Sequence, residues 1–165
     1  MGEYLTISAL IDRCAPYDKA QRAAWARRAR HWAMASQVLP KPPKARRGSG
    51  HHRRYRSEDV YLMAIMFRLS DSTLPVGTLD AISELIQQYM IRAPDWNAVK
   101  SGSADPNTYL SIIFTCDGEP GADIQPGPLP DFDEVHDGAL IVLNISVIFE
   151  KIRAQEAMKY AHQDK

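Results

Sequence analysis

Between Lys19 and Arg56 the chain has no Asp and no Glu, although twelve Lys and Arg side chains fall in that span. Acidic side chains within the stretch therefore cannot neutralise it, which points outward to a polyanion. Cysteine is scarce as well. Cys14 and Cys116 stand far apart, which excludes a disulfide framework or a paired-thiolate metal site and reads as buried packing thiols. The longest apolar run, Tyr61 to Phe67, is far short of the roughly 20 residues that span a bilayer, and Met1 to Ala20 lacks the basic start and apolar middle of a signal peptide. A cytoplasmic location is expected. No glycine-rich nucleotide loop and no nucleophile motif occurs. The acidic group Asp131, Asp133, Glu134, His136 and Asp137 lacks the glycine and terminal glutamate of a calcium loop. No catalytic residue, metal or cofactor is expected, and the chain reads as a non-enzyme.

What is present suits one folded domain or two small ones: 165 residues, 45% hydrophobic and 24% charged. The formal net charge of zero hides a division. Residues 1–70 hold 14 basic and 5 acidic side chains, a net of +9, and residues 71–165 hold 6 and 15, a net of −9. The front half is built to face negative charge.

Thr6 is a good N-cap, and Ile7, Leu10 and Ile11 follow at helical spacing, predicting a short helix from about Ile7 to Cys14. Ala15-Pro16-Tyr17-Asp18 ends it, and Asp18 caps a second helix running to about Gln37. At 100° per residue, Trp25, Ala29, Trp32 and Ser36 share one face of that helix. Arg27, Arg30 and His31 fall on the opposite face, beside Ala23. A helix that enters a DNA major groove needs this combination of a packed rear and a donor-rich front.

A break at Leu39-Pro40-Lys41-Pro42-Pro43 follows. Beyond it, Lys44 to Arg47 and Arg53 to Arg56 flank Gly48-Ser49-Gly50, which predicts a β-hairpin. Arginines clustered on so small a ribbon repel one another unless phosphates offset them, so Arg46, Arg47, Arg53, Arg54 and Arg56 are expected to clamp a phosphate backbone. His51 and His52, without a nearby Cys or carboxylate, read as polar wing residues rather than metal ligands. Ser57 is expected to cap a nearly all-apolar helix through Leu69. Thr78 should open another to about Ile91, with Leu79, Ile82, Ile86 and Tyr89 along one stripe.

The order of these features resembles the MerR-type winged helix-turn-helix family. The motifs that carry the likeness are Tyr4 to Leu10, Arg30-His31-Trp32 leading to Val38-Leu39-Pro40, Gly50 to Tyr55, and Ser57-Glu58-Asp59-Val60. The likeness covers roughly the first 90 residues. It implies a homodimer on double-stranded DNA, with the second helix in the major groove through Arg22, Arg27, Arg28, Arg30 and His31. Residues matching Arg53, Arg54 and Tyr55 would touch the backbone. Two departures stand out. The segment before Arg30-His31-Trp32 is longer than the family's compact turn by about two helical turns, so either the recognition helix is extended at its N-terminus or the turn is expanded. The family's long dimerising coiled coil is missing, since the Thr78 helix halts near Ala93-Pro94.

The expected fold class is therefore mainly α with small β elements. Residues 1–93 form a winged helix-turn-helix DNA-binding domain, 94–107 a polar linker, and 108–165 a small α+β dimerisation or effector region. In the last, Tyr109 to Thr115 and Gly138 to Ile145 read as strands, Asp117 to Pro130 as an irregular loop, and Asn144 or Ser146 as the cap of a final helix. Two strands and a helix bury themselves poorly alone, which a second copy would remedy. RNA polymerase or another protein is a further candidate partner of this region. Sequence-specific transcriptional regulation is the leading reading. An excisionase-like DNA-bending factor and a protein-interaction module with a basic docking face are the alternatives.

Overall fold

The computed structural model describes residues 3–40, 54–114, 120–129 and 139–161. Among these are six α-helices and two small antiparallel sheets. Strand β1 (Tyr4–Thr6) leads into α1 (Ile7–Arg13) and α2 (Lys19–Ala35), and β2 (Arg54–Arg56) leads through a 3-10 turn into α3 (Val60–Asp71). Then come α4 (Val76–Leu85), a π turn (Ile86–Met90), α5 (Pro94–Ser101), β3 (Thr108–Phe114), β4 (Pro120–Pro126), β5 (Ala139–Asn144) and α6 (Ile145–Ala161). No helix among the described residues is long and apolar enough to cross a membrane.

The two front helices begin where their caps dictate. Thr6 Oγ1 accepts from the Ala9 N–H at 3.2 Å, and Asp18 Oδ1 accepts from the Gln21 N–H at 2.7 Å. Helix α2 therefore starts at Lys19 after a five-residue turn, Cys14 to Asp18. The residues before Arg30 continue the helix back to Lys19 and do not form a longer turn. The tryptophan face is buried as its spacing predicts, with Trp25 and Trp32 stacked on Phe67 of α3 at centroid separations of 4.9 and 5.3 Å.

Helix α3 is buried nearly all round and forms the axis of the core. Its start differs from the expected Ser57 cap. Ser57–Asp59 form a 3-10 turn ahead of it, and the Asp59 carboxylate reaches back to accept from the Arg56 N–H at 2.9 Å, which closes that turn and leaves α3 itself without a side-chain cap. Burial outweighs that hydrogen bond and pushes the Asp59 carboxyl above its ordinary value. Helix α4 starts at Val76, two residues before Thr78, because Pro75 sets the entry and its carbonyl accepts from the Leu79 N–H at 3.0 Å. The π turn that follows inserts extra arc, so Met90 takes the buried place expected of Tyr89, which is left 69% exposed.

The segment expected as a linker carries α5. Pro94 occupies its first turn beside Asp95, and Gly102 ends it at φ 82, the left-handed geometry that favours glycine. Arg153 Nη1 donates to the Val99 carbonyl at 2.6 Å, capping the same helix end. The loop expected over Asp117 to Pro130 contains β4, so the rear sheet has three strands in the order β4-β3-β5. Its prolines, Pro120 and Pro126, sit at the two ends of an edge strand, the place where a missing N–H costs the ladder least. Asn144 caps α6, its Oδ1 accepting from the Val147 N–H at 3.0 Å.

Front and rear share one buried cluster, from Leu5 to Ile152. Phe149 of α6 meets Tyr61 of α3 and Trp96 of α5 edge-on at 4.7 and 5.1 Å. The rear helix thus buries its apolar stripe within the same chain, which removes the packing argument for a second copy. Cys14 is fully buried, its Sγ directed at the Val60 carbonyl at 3.6 Å, and burial pushes the thiol far above its ordinary value.

Two outcomes follow from this core. Phe67→Ala is expected to cost about 3–5 kcal/mol, read as a lowered urea midpoint. In a Cys116→Ser background, Cys14 should resist a thiol reagent in native buffer and react in full once urea unfolds the chain. Rapid native labelling would contradict its burial.

Candidate nucleic-acid interface

The outward face of α2 is built by what holds the other face. Asp71, the last residue of α3, accepts from Trp25 Nε1 at 3.2 Å and from Gln21 Nε2 at 3.1 Å, and pairs with Arg28. Arg28 also donates to Ser70 Oγ at 2.9 Å. A carboxylate at a helix C-terminus opposes the dipole, and here three donors from α2 offset that cost. Arg22 pairs with Asp12 of α1, which raises its pKa, and donates to Ser8 Oγ at 3.0 Å. Arg22 and Arg28, both expected to contact DNA from the recognition helix, are tied to α1 and α3.

Arg68 fixes the turn before α2. Its guanidinium donates to the carbonyls of Cys14 at 3.3 Å and Ala15 at 3.4 Å, and lies about 5.5 Å from the rings of both Tyr17 and Trp25. Ala15 holds a positive φ of 54, a conformation that persists in a non-glycine residue only where its surroundings impose it. Burial pushes the Tyr17 phenol up, but Arg68 and Lys151 of α6 outweigh it and leave the phenol below its ordinary value.

With these tethers in place, Arg27, Arg30 and His31 are exposed on one side of α2, and none has an ion-pair partner among the described residues. Ala20 and Ala23 continue that stripe toward the N-terminus and Met34, 81% exposed, continues it toward the C-terminus. A groove of about 460 Å³ runs beside Arg30, between α2, the start of α1 and Tyr55.

The β1–β2 ribbon adds to this surface. Leu5 pairs with Tyr55, Thr6 with Arg54 and Tyr4 with Arg56, and the Ser57 N–H donates to the Glu3 carbonyl at 3.0 Å. Side chains alternate along the strand. Arg54 and Arg56 are exposed while Tyr55 is 1% exposed, a core residue packed with Leu5. The expected backbone contact by Tyr55 is thus corrected: the ring belongs to the core. Arg56 pairs with Glu58 at 3.1 Å, which raises its pKa, whereas Arg54 has no ion-pair partner among the described residues. The expected hairpin residues Arg46, Arg47, His51, His52 and Arg53 lie outside the described residues, as do Cys116 and the acidic group near Asp133. Among the described residues no group of three or more His, Cys, Asp or Glu is placed to hold a metal ion.

The anchoring residues Asp12, Arg68 and Asp71 were not among the expected site residues. Asp71 carried one signal, an acid where the helix dipole disfavours it. No protein-family model and no curated protein matches the chain.

Asp71→Ala should free Arg28 and Gln21 and leave the Trp25 indole N–H without its acceptor, lowering stability by about 1–3 kcal/mol in urea titrations. Asp71→Asn, which keeps an acceptor, should lose less.

Proposed function

We propose that the protein is a sequence-specific regulator that binds double-stranded DNA through α2 and the adjoining β1–β2 ribbon, in the manner of a MerR-like winged helix-turn-helix. One observation carries the reading. The tryptophan face of α2 is clamped to α3, and the opposite face presents Arg27, Arg30 and His31, none of which has an ion-pair partner among the described residues. A free, donor-bearing helix face on a rigid support is what base-edge recognition requires. The seventeen residues of α2 extend about 25 Å, ample to cross a groove about 12 Å wide. Arg54 on the neighbouring strand, preceded in the sequence by the basic segment 41–53, supplies the phosphate contacts that orient such a helix.

Binding measured against salt, on sites selected from a random duplex pool and on random duplex, tests this directly. Arg54→Ala should weaken binding to every duplex alike and lower the salt slope by about 1, and Arg27→Ala or Arg30→Ala should also change which sequence is preferred. Equal affinity for all sequences would favour an architectural DNA-bending role. Absence of duplex binding would overturn the proposal and leave the basic face as a protein-docking surface.

A further inference from the structure

The two edges of the rear sheet are unlike. On one side β4 is bounded by Pro120 and Pro126, carries Asp123, and packs against α4 and α5. These are the features that keep a sheet edge from pairing with another chain. On the other side β5 reads Ala139-Leu140-Ile141-Val142-Leu143-Asn144, with no charge and no proline, and it pairs with β3 alone among the described strands. From Leu140 to Asn144 every residue is half-buried. Ile141 and Leu143 lean on the core, so Leu140, Val142 and Asn144 face the opposite side, level with Ile113, Ser111 and Tyr109 of β3.

We infer that β5 is the dimerisation edge, pairing antiparallel with β5 of a second copy to join two three-stranded sheets into one of six. An uncharged strand does not repel its own copy, and antiparallel pairing is the arrangement a two-fold axis normal to the sheet produces. That axis keeps each face on its own side, so the register places Ile141 or Val142 against its counterpart. Six residues at about 3.4 Å each give a ladder some 20 Å long, and the half-exposed Leu140 and Val142 of each copy then cover those of the other. The surface deepens the proposed function, since a dimer about a two-fold axis would place two α2 helices on a two-fold symmetric site, but its test does not depend on DNA.

Sedimentation or light scattering of the full chain at about 10 μM, a concentration at which micromolar association is visible, should give twice the 18.5 kDa chain mass. Val142→Lys sets like charges together near the axis and should return the mass to that of one chain, with an unchanged helical circular dichroism spectrum. In a Cys116→Ser background, Ile141→Cys or Val142→Cys should form an intermolecular disulfide on mild oxidation, and Asp123→Cys on the β4 edge should not. A monomeric wild-type chain, or a dimer that survives Val142→Lys and resists both β5 crosslinks, overturns the inference. A β5 dimer with no affinity for duplex would sink the DNA reading and leave this one standing.

Discussion

Phe67 lies between two indoles, and the placement of α2 depends on it. The ring stacks nearly parallel to Trp25 and at 21° to Trp32, so one residue of α3 grips α2 at two points two helical turns apart. Two points define a line, and that line runs along one face of α2, parallel to its axis. Such aromatic contacts contribute about 0.5–1.5 kcal/mol each beyond the area they bury. Rotating α2 about its axis would unstack both, which is why its basic face has one direction to point. Asp71 adds a third tether one turn beyond Phe67, by hydrogen bonds and an ion pair in place of stacking.

The cationic stretch then separates into two populations. Arg22 and Arg28 are held by Asp12 and Asp71, so each already has a carboxylate partner from a neighbouring helix. Arg27, Arg30 and His31 meet no such carboxylate among the described residues. The difference is one of angle around a helix: positions one residue apart, such as Arg27 and Arg28, point 100° away from each other. A count of basic residues along the sequence treats the two alike.

The helices described in the front half were legible where their signals are local. Thr6 and Asp18 as caps, the Trp25–Trp32 spacing and the apolar Val60–Leu69 run depend on residues within a few positions of one another. Tyr55 shows where local reading fails. Between two arginines it looks like part of a basic patch, but its pairing with Leu5 comes from a strand fifty residues earlier and turns it inward. The π turn is a second case, since one inserted residue's worth of arc moves burial from Tyr89 to Met90 without altering composition. Helix α5 was legible in hindsight, for Pro94, Asp95, Lys100 and Gly102 are start and stop signals that a linker does not need. Strand β4 was hidden by its prolines, which mark turns more often than edges.

Phe149 sits against Tyr61 and Trp96 at once. The last helix is therefore part of the floor on which α3 rests, and α3 in turn carries Phe67. Severing the chain after Ala93 would strip an aromatic wall from Tyr61 and expose the underside of the scaffold that aims α2. The front half is not a cassette that recombination can move to another protein without an apolar scar, and any successful fusion or shuffling of this chain must carry its C-terminal helix along.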